Sequence, residues 1–222
     1  MVSNETKKFI MDGYLYVHRA MQADIANLEA TSTRLTRMSK EDAAKLSKWF
    51  EFFWDMVEVH HVEEDNNFFP DITRRDPAFA PQMHMLSADH QHLHSMVDLV
   101  AKLLNRIQNS TDAEEREITG RQLTQLLKNF KESLNDHLAR EENVVIASIA
   151  DHFSLKEQKE MEQKTMKSMP RKHMALLVPW VASSMSAEEA AVAIKVIPLP
   201  LRIMYNLSWK KKYEKFTSVF RG

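Results

Sequence analysis

The sequence predicts an all-α protein: an up-down-up-down four-helix bundle over residues 1–153 with a short-helix C-terminal extension, residues 154–222, packed on it. Three observations predict this. Only 3 glycines occur in 222 residues, and helix interiors exclude glycine whereas sheet topologies usually need it at turns. Apolar residues recur at three- and four-residue steps through most of the chain. Capping signatures and prolines mark where those periodic stretches begin and stop.

The first helix is expected to start near Ser3 to Thr6 and run to about Met38, with Met11, Leu15, His18, Ile25 and Leu28 on its inner face. Ser39 and Asp42 cap a second helix from Lys40 to about Phe69, where Pro70 stops it. A proline-containing loop of mixed charge, Asp71 to Pro81, follows. The third helix takes up near Gln82, aligns His90 and His94 with Val97, Ala101 and Leu104, and ends by Asn109. Thr111 and Glu114 form another capping signature, and the fourth helix runs to about His152 with Gly120 as an isolated weak point. Short connections make neighbouring helices antiparallel, apart from the Asp71 to Pro81 loop.

A repeated pattern carries the chemistry. HHVEEDNNFFP begins at His60, and HLAREENVVIA begins seventy-seven positions later at His137. Both place His first, Glu fifth and an apolar pair ninth and tenth. Residues four apart on a helix lie about 5–6 Å apart on one face, so His60 with Glu64, and His137 with Glu141, each present an imidazole beside a carboxylate. Leu46, Phe50, Phe53 and Val57 run into the first pair; Leu123, Leu127, Phe130 and Leu134 run into the second. Both pairs therefore point into the core, where unpaired polar groups are costly unless a partner or a metal compensates.

Each of these helices is preceded by a helix with its own inward histidine, His18 before His60 and His90 before His137. The module thus reads as two helical hairpins related by a rough two-fold. His94 breaks the symmetry, because the residue four after His18 is Gln22.

The candidate metal ligands are His18, His60, Glu64, His90, His94, His137 and Glu141. If both carboxylates and an oxo or hydroxo group bridge two octahedral metals, these donors leave one of the twelve positions open, where a small ligand can bind. Imidazole and carboxylate suit iron, manganese or zinc. His61, next to a ligand position, projects about 100° away and is expected at the surface or just behind the ligands, as are Glu63, Asp65 and Glu142. His84, His92, His152 and His173 have no partner at ligand spacing. Tyr14, one turn before His18, is a candidate for lining the site, and the stripe Trp49, Phe50, Phe53, Trp54 reads as core.

Taken together, the inward His18, HHVEEDNNFFP, DHQHLH and HLAREE resemble the hemerythrin family, also called HHE cation-binding domains, over roughly residues 6–152. The resemblance implies a non-haem di-iron centre, two iron ions with an oxo or hydroxo bridge, that binds dioxygen or a related small ligand such as nitric oxide or peroxide. It also implies two alternatives: a peroxide-decomposing or nitric-oxide-detoxifying enzyme, or an iron or oxygen sensor acting through the C-terminal segment. In the family's dioxygen carriers an Asp stands five places after the last helix's His; here Glu142 holds that place and Glu141 the fourth. Glu141 is preferred because it repeats the Glu64 spacing, with Glu142 as the alternative bridge. Bacterial relatives can lack the second histidine of the third helix; if His94 does not ligate, two positions are open.

From Ser154 onward the pattern changes. Ser154-Leu-Lys-Glu and Ser186-Ala-Glu-Glu are capping signatures, prolines divide short helices, and IPLPL reads as a turn. The last stretch, WKKKYEKF, is expected to pack Trp209, Tyr213 and Phe216 on the bundle, with a membrane surface or a protein partner as the other use. This segment carries 13 Lys+Arg against 6 Asp+Glu, whereas residues 1–153 carry 17 against 25. The acidic bundle fits cation binding. Overall neutrality and the lack of a recognisable motif argue against nucleic acid. No run of eighteen apolar residues exists, so no membrane span is expected, and Cys 0 together with the lack of a signal-peptide pattern fits a cytoplasmic setting.

Overall fold

The computed structural model describes residues 9–168 and 171–221, and among these every regular element is helical. α1 spans Asp12–Ser32, α2 Lys40–Glu63, α3 Phe69–Arg75, α4 Ala80–Asn109 and α5 Ala113–His152. The extension adds α6 (Leu155–Ser168), α7 (Arg171–Ser183), α8 (Ala187–Val196), α9 (Leu199–Met204) and α10 (Lys210–Phe216). α1, α2, α4 and α5 close into a ring, with α1 packed on α2 and α5, and α4 on α2 and α5.

Two apolar cores sit at opposite ends of this ring. The larger contains Met21, Ile25, Phe53, Val57, Leu93, Val97, Phe130 and Leu138. Met11, Phe68, Phe69, Leu86, Val145 and Ile149 belong to the smaller one. Along α1 and α4 the chain runs from the smaller core to the larger; along α2 and α5 it runs the other way. All four helices cross the intervening level with a histidine, and that level holds the candidate site.

The boundaries differ from expectation in four places, each with a local cause. The start expected for the first helix lies outside the described residues; the helical turns begin at Asp12 and end at Ser32, before a 3-10 turn at Leu35–Arg37. Met11 offers no side-chain cap to α1. α6 supplies one instead: Glu162 Oε1 accepts from Gly13 N–H at 3.2 Å, placing a carboxylate at the positive end of the helix. A Cβ on Gly13 would crowd that carboxylate.

Pro70 does not stop the second helix. A π turn at Glu64–Phe68, with Phe69 N–H bonded to Glu64 O, shifts the register. Pro70 then falls in the first turn of α3, where a missing N–H costs nothing. The expected Asp71 to Pro81 loop is consequently helical to Arg75, passes through a 3-10 turn at Pro77–Phe79, and enters α4 at Ala80.

α5 is capped by Asp112, whose carboxylate accepts from the N–H groups of Glu114 and Glu115, rather than by Thr111. Gly120 on α5 is buried where the 3-10 turn approaches, and a Cβ there would overlap the Thr36 methyl. IPLPL is not a simple turn, since Pro198 precedes the helical turns of α9.

The extension contributes side chains to the larger core. Trp49 of α2 packs edge-on against Tyr213, Phe216 and Phe220 at ring separations of 5.7, 5.0 and 5.3 Å. Trp180 of α7 donates its indole N–H to a carboxyl oxygen of the buried Asp24 of α1 at 2.5 Å.

Candidate metal centre

At the level between the two cores, two groups of donors face each other: His18, His60, Glu64 and Glu141 in one, His61, His90 and His137 in the other. Each group offers ligand atoms within 4.8 Å of one another, and all seven residues are buried.

The distances show how the groups interlock. His18 Nε2 lies 3.0 Å from His60 Nε2, so both imidazoles address one point. Glu64 presents Oε1 to His60 Nε2 at 3.0 Å and Oε2 to His90 Nε2 at 3.7 Å, one oxygen to each group. Glu141 Oε2 lies 3.7 Å from His18 Nε2 and 3.4 Å from His137 Nε2. Both carboxyls thus span the two groups.

A second layer of carboxylates sets the imidazoles. Glu142 Oε1 pairs with His18 Nδ1, and Asp65 Oδ2 with His90 Nδ1, each at 2.9 Å. Asp89, itself held by Arg140 at 2.7 Å, lies 3.6 Å from His137 Nδ1. An Nδ1–H donated outward fixes the tautomer and turns the Nε2 lone pair inward, the arrangement seen behind metal-bound histidines. The residue directly after each inward glutamate therefore serves the opposite hairpin, Asp65 turning His90 and Glu142 turning His18.

Burial leaves this cluster short of positive charge. It raises the Glu64 carboxyl to about 8, and it raises Glu141 well above its ordinary value, with the neighbouring Glu64 charge adding to the effect. Burial also lowers His18, His60, His61, His90 and His137. Both oxygens of Glu64 and Glu141, His61 Nε2, His90 Nε2 and both nitrogens of His137 are buried without a hydrogen-bond partner. Buried polar groups are normally paired, and metal cations satisfy this mixture of inward lone pairs and carboxyl oxygens. The residues present fit a metal centre.

Six of the seven sequence candidates lie in these groups. His94 does not. It is exposed, its ring edge-on to Trp54 at 5.5 Å. The buried residues of α4 follow a four-three rhythm through Leu86, His90, Leu93, Val97, Val100, Leu104 and Ile107, which leaves position 94 on the flank. His61, expected outside the ligands, occupies the interior instead: it is 5 % exposed and stacked on His90 at 3.9 Å and 11°. Because α2 touches both α1 and α4, His60 turns toward the first and His61 toward the second. The sequence signal for this was the breadth of the apolar face of α2, buried at Trp49, Phe50, Phe52, Phe53 and Trp54 alike.

Tyr14 stands against the first group, its ring 4.3 Å from His18 and 5.8 Å from His60. Its hydroxyl is buried and held neutral first by burial and then by the Glu141 and Glu64 charges; the Glu141 carboxyl lies beside it, in a geometry that completes no regular hydrogen bond.

Residues 13–149 match the hemerythrin HHE cation-binding domain, and the chain belongs to that family. Among curated proteins it is similar to the zinc finger protein BRUTUS of Arabidopsis thaliana, 23% identical over 177 residues covering 80% of this chain and 14% of that protein. Two BRUTUS-like zinc finger proteins of the same plant are 23% and 22% identical over 88% and 90% of this chain, and 16% and 17% of their own lengths. The chain thus spans less than a fifth of the curated relatives it matches. No solved structure matches it significantly. The protein is a hemerythrin-like, metal-binding helical domain, and no helix among its described residues is long and apolar enough to cross a membrane.

Proposed function

We propose that this domain holds two iron ions and uses them to bind dioxygen or a related small ligand such as nitric oxide or peroxide. The observation that carries this reading is the pair of carboxyls, Glu64 and Glu141, spanning two buried groups of histidines whose lone pairs face inward. His18 and His60 would hold one ion, His61, His90 and His137 the other, with Glu64 and Glu141 shared between them. Exchanging His94 for His61 keeps the donor tally at five imidazoles and two carboxylates. When bound, the iron pair supplies reversible electron transfer to the incoming molecule.

The chain's own residues do the rest. Asp65 and Glu142 orient the His90 and His18 imidazoles, Asp89 places a negative charge near that of His137, and the cores on either side exclude bulk water from the polar level. Metal analysis combined with absorption spectra before and after dioxygen exposure tests the reading. Two irons per chain and an oxo-to-iron charge-transfer band that changes with dioxygen are expected; a zinc-loaded, colourless protein would refute it.

A second reading, an iron or oxygen sensor acting through the extension, is favoured by α1 alone carrying both His18 and Asp24, the latter gripped by Trp180 of α7. Limited proteolysis of the extension with and without iron tests it, and identical cleavage would remove it.

A further inference from the structure

Tyr14 has a feature that packing does not require. Its ring sits among Phe9, Phe68, His18 and His60, and two of those neighbours are phenylalanines. A phenyl group would satisfy the same contacts. The hydroxyl is nevertheless present and buried, with the Glu141 carboxyl beside it but no regular hydrogen bond closed, although buried donors are nearly always paired.

Its position is also fixed. The Tyr14 N–H bonds Met11 O at 3.1 Å, and the preceding Gly13 N–H is held by Glu162 of α6. The acceptor beside the hydroxyl is the Glu141 carboxyl, a member of the donor cluster that a bound cation would draw toward itself. The phenol then keeps a proton to donate and needs an acceptor that arrives from outside.

We propose that Tyr14 is the donor that binds and positions a small anionic ligand at the His18 and His60 side of the centre, by hydrogen bonding from its hydroxyl. This rests on the di-iron reading and adds to it the residue that positions the ligand, with azide as the probe. A neutral-to-charged hydrogen bond of this kind governs affinity for the anion and leaves metal loading untouched.

The test compares wild-type protein with Tyr14→Phe, both reconstituted with ferrous iron, oxidised and titrated with azide. The iron content of both reports first on the underlying reading, because a wild type that holds no iron overturns that reading and the proposal together. With both proteins loaded equally, the azide dissociation constant is expected to rise about tenfold or more in Tyr14→Phe, the weight of one hydrogen bond to a charged group. The bound azide stretch should shift in deuterated water in the wild type only, a readout that a packing role would not move. Unchanged azide affinity, or the same solvent-isotope shift in both proteins, overturns the proposal while leaving the metal centre standing. So does iron loss in Tyr14→Phe, or a phenolate-to-iron charge-transfer band in the wild type, since either makes Tyr14 a metal ligand.

Discussion

Five of the seven buried donors, His61, Glu64, His90, His137 and Glu141, leave polar atoms unpaired within one level of a helical bundle, and unpaired buried polar groups each carry a desolvation cost of roughly 1–3 kcal/mol. The arrangement makes sense only where a cation recovers that cost. His61 is the residue on which the donor count turns. His61→Ala should therefore lower iron bound per chain, whereas His94→Ala, which alters an exposed ring, should leave it unchanged. Metal content of the two purified variants checks this; loss in His94→Ala alone would reverse the assignment. The sequence made the His60/Glu64 and His137/Glu141 pairs legible because their four-residue spacing repeats in matching register. His61 does face away from His60, but expecting it outside the ligands assumed a single buried face, and α2 has neighbours on two sides.

At the level of elements, a π turn shapes the chain beside the site, and a glycine lets α5 fit against the 3-10 turn away from it. The π turn begins at Glu64 itself, re-phases the chain after the ligands, and lets Pro70 open α3 rather than end a helix. No periodicity rule exposes such a turn, since a proline reads locally as a stop. Gly120 could be seen as a weak point, but its cause lay eighty-four positions away in Thr36. Gly120→Ala should destabilise the protein by about 1–3 kcal/mol from the overlap, against a helix-propensity gain of at most about 1 kcal/mol. Chemical denaturation would measure this, and adding Thr36→Ala should restore most of the loss. A stabilised single variant would mean that the 3-10 turn moves aside freely.

For the whole molecule, the division between bundle and extension was visible in the change of charge and in the prolines, but the joint between them was not. Asp24 looks like an ordinary solvent-facing acid in sequence; in the fold it is 4 % exposed beneath Trp180, and burial raises its carboxyl from 3.8 to about 8. The folded protein therefore holds a proton there that the unfolded chain releases. Stability from this group is fully present below about pH 4 and declines as pH rises toward 8, where the folded form also ionises. In the metal-free protein, melting temperature should fall more steeply between pH 5 and 8 in the wild type than in Asp24→Asn, whose amide stays neutral; parallel profiles would show that Asp24 is not the group responsible.

Iron-edge anomalous diffraction from crystals of the loaded protein reaches the central claim most directly. Two peaks are expected, one beside His18 and His60 and one beside His61, His90 and His137, with Glu64 and Glu141 between them. A single peak, or density at His94 with His61 turned away, would contradict the account.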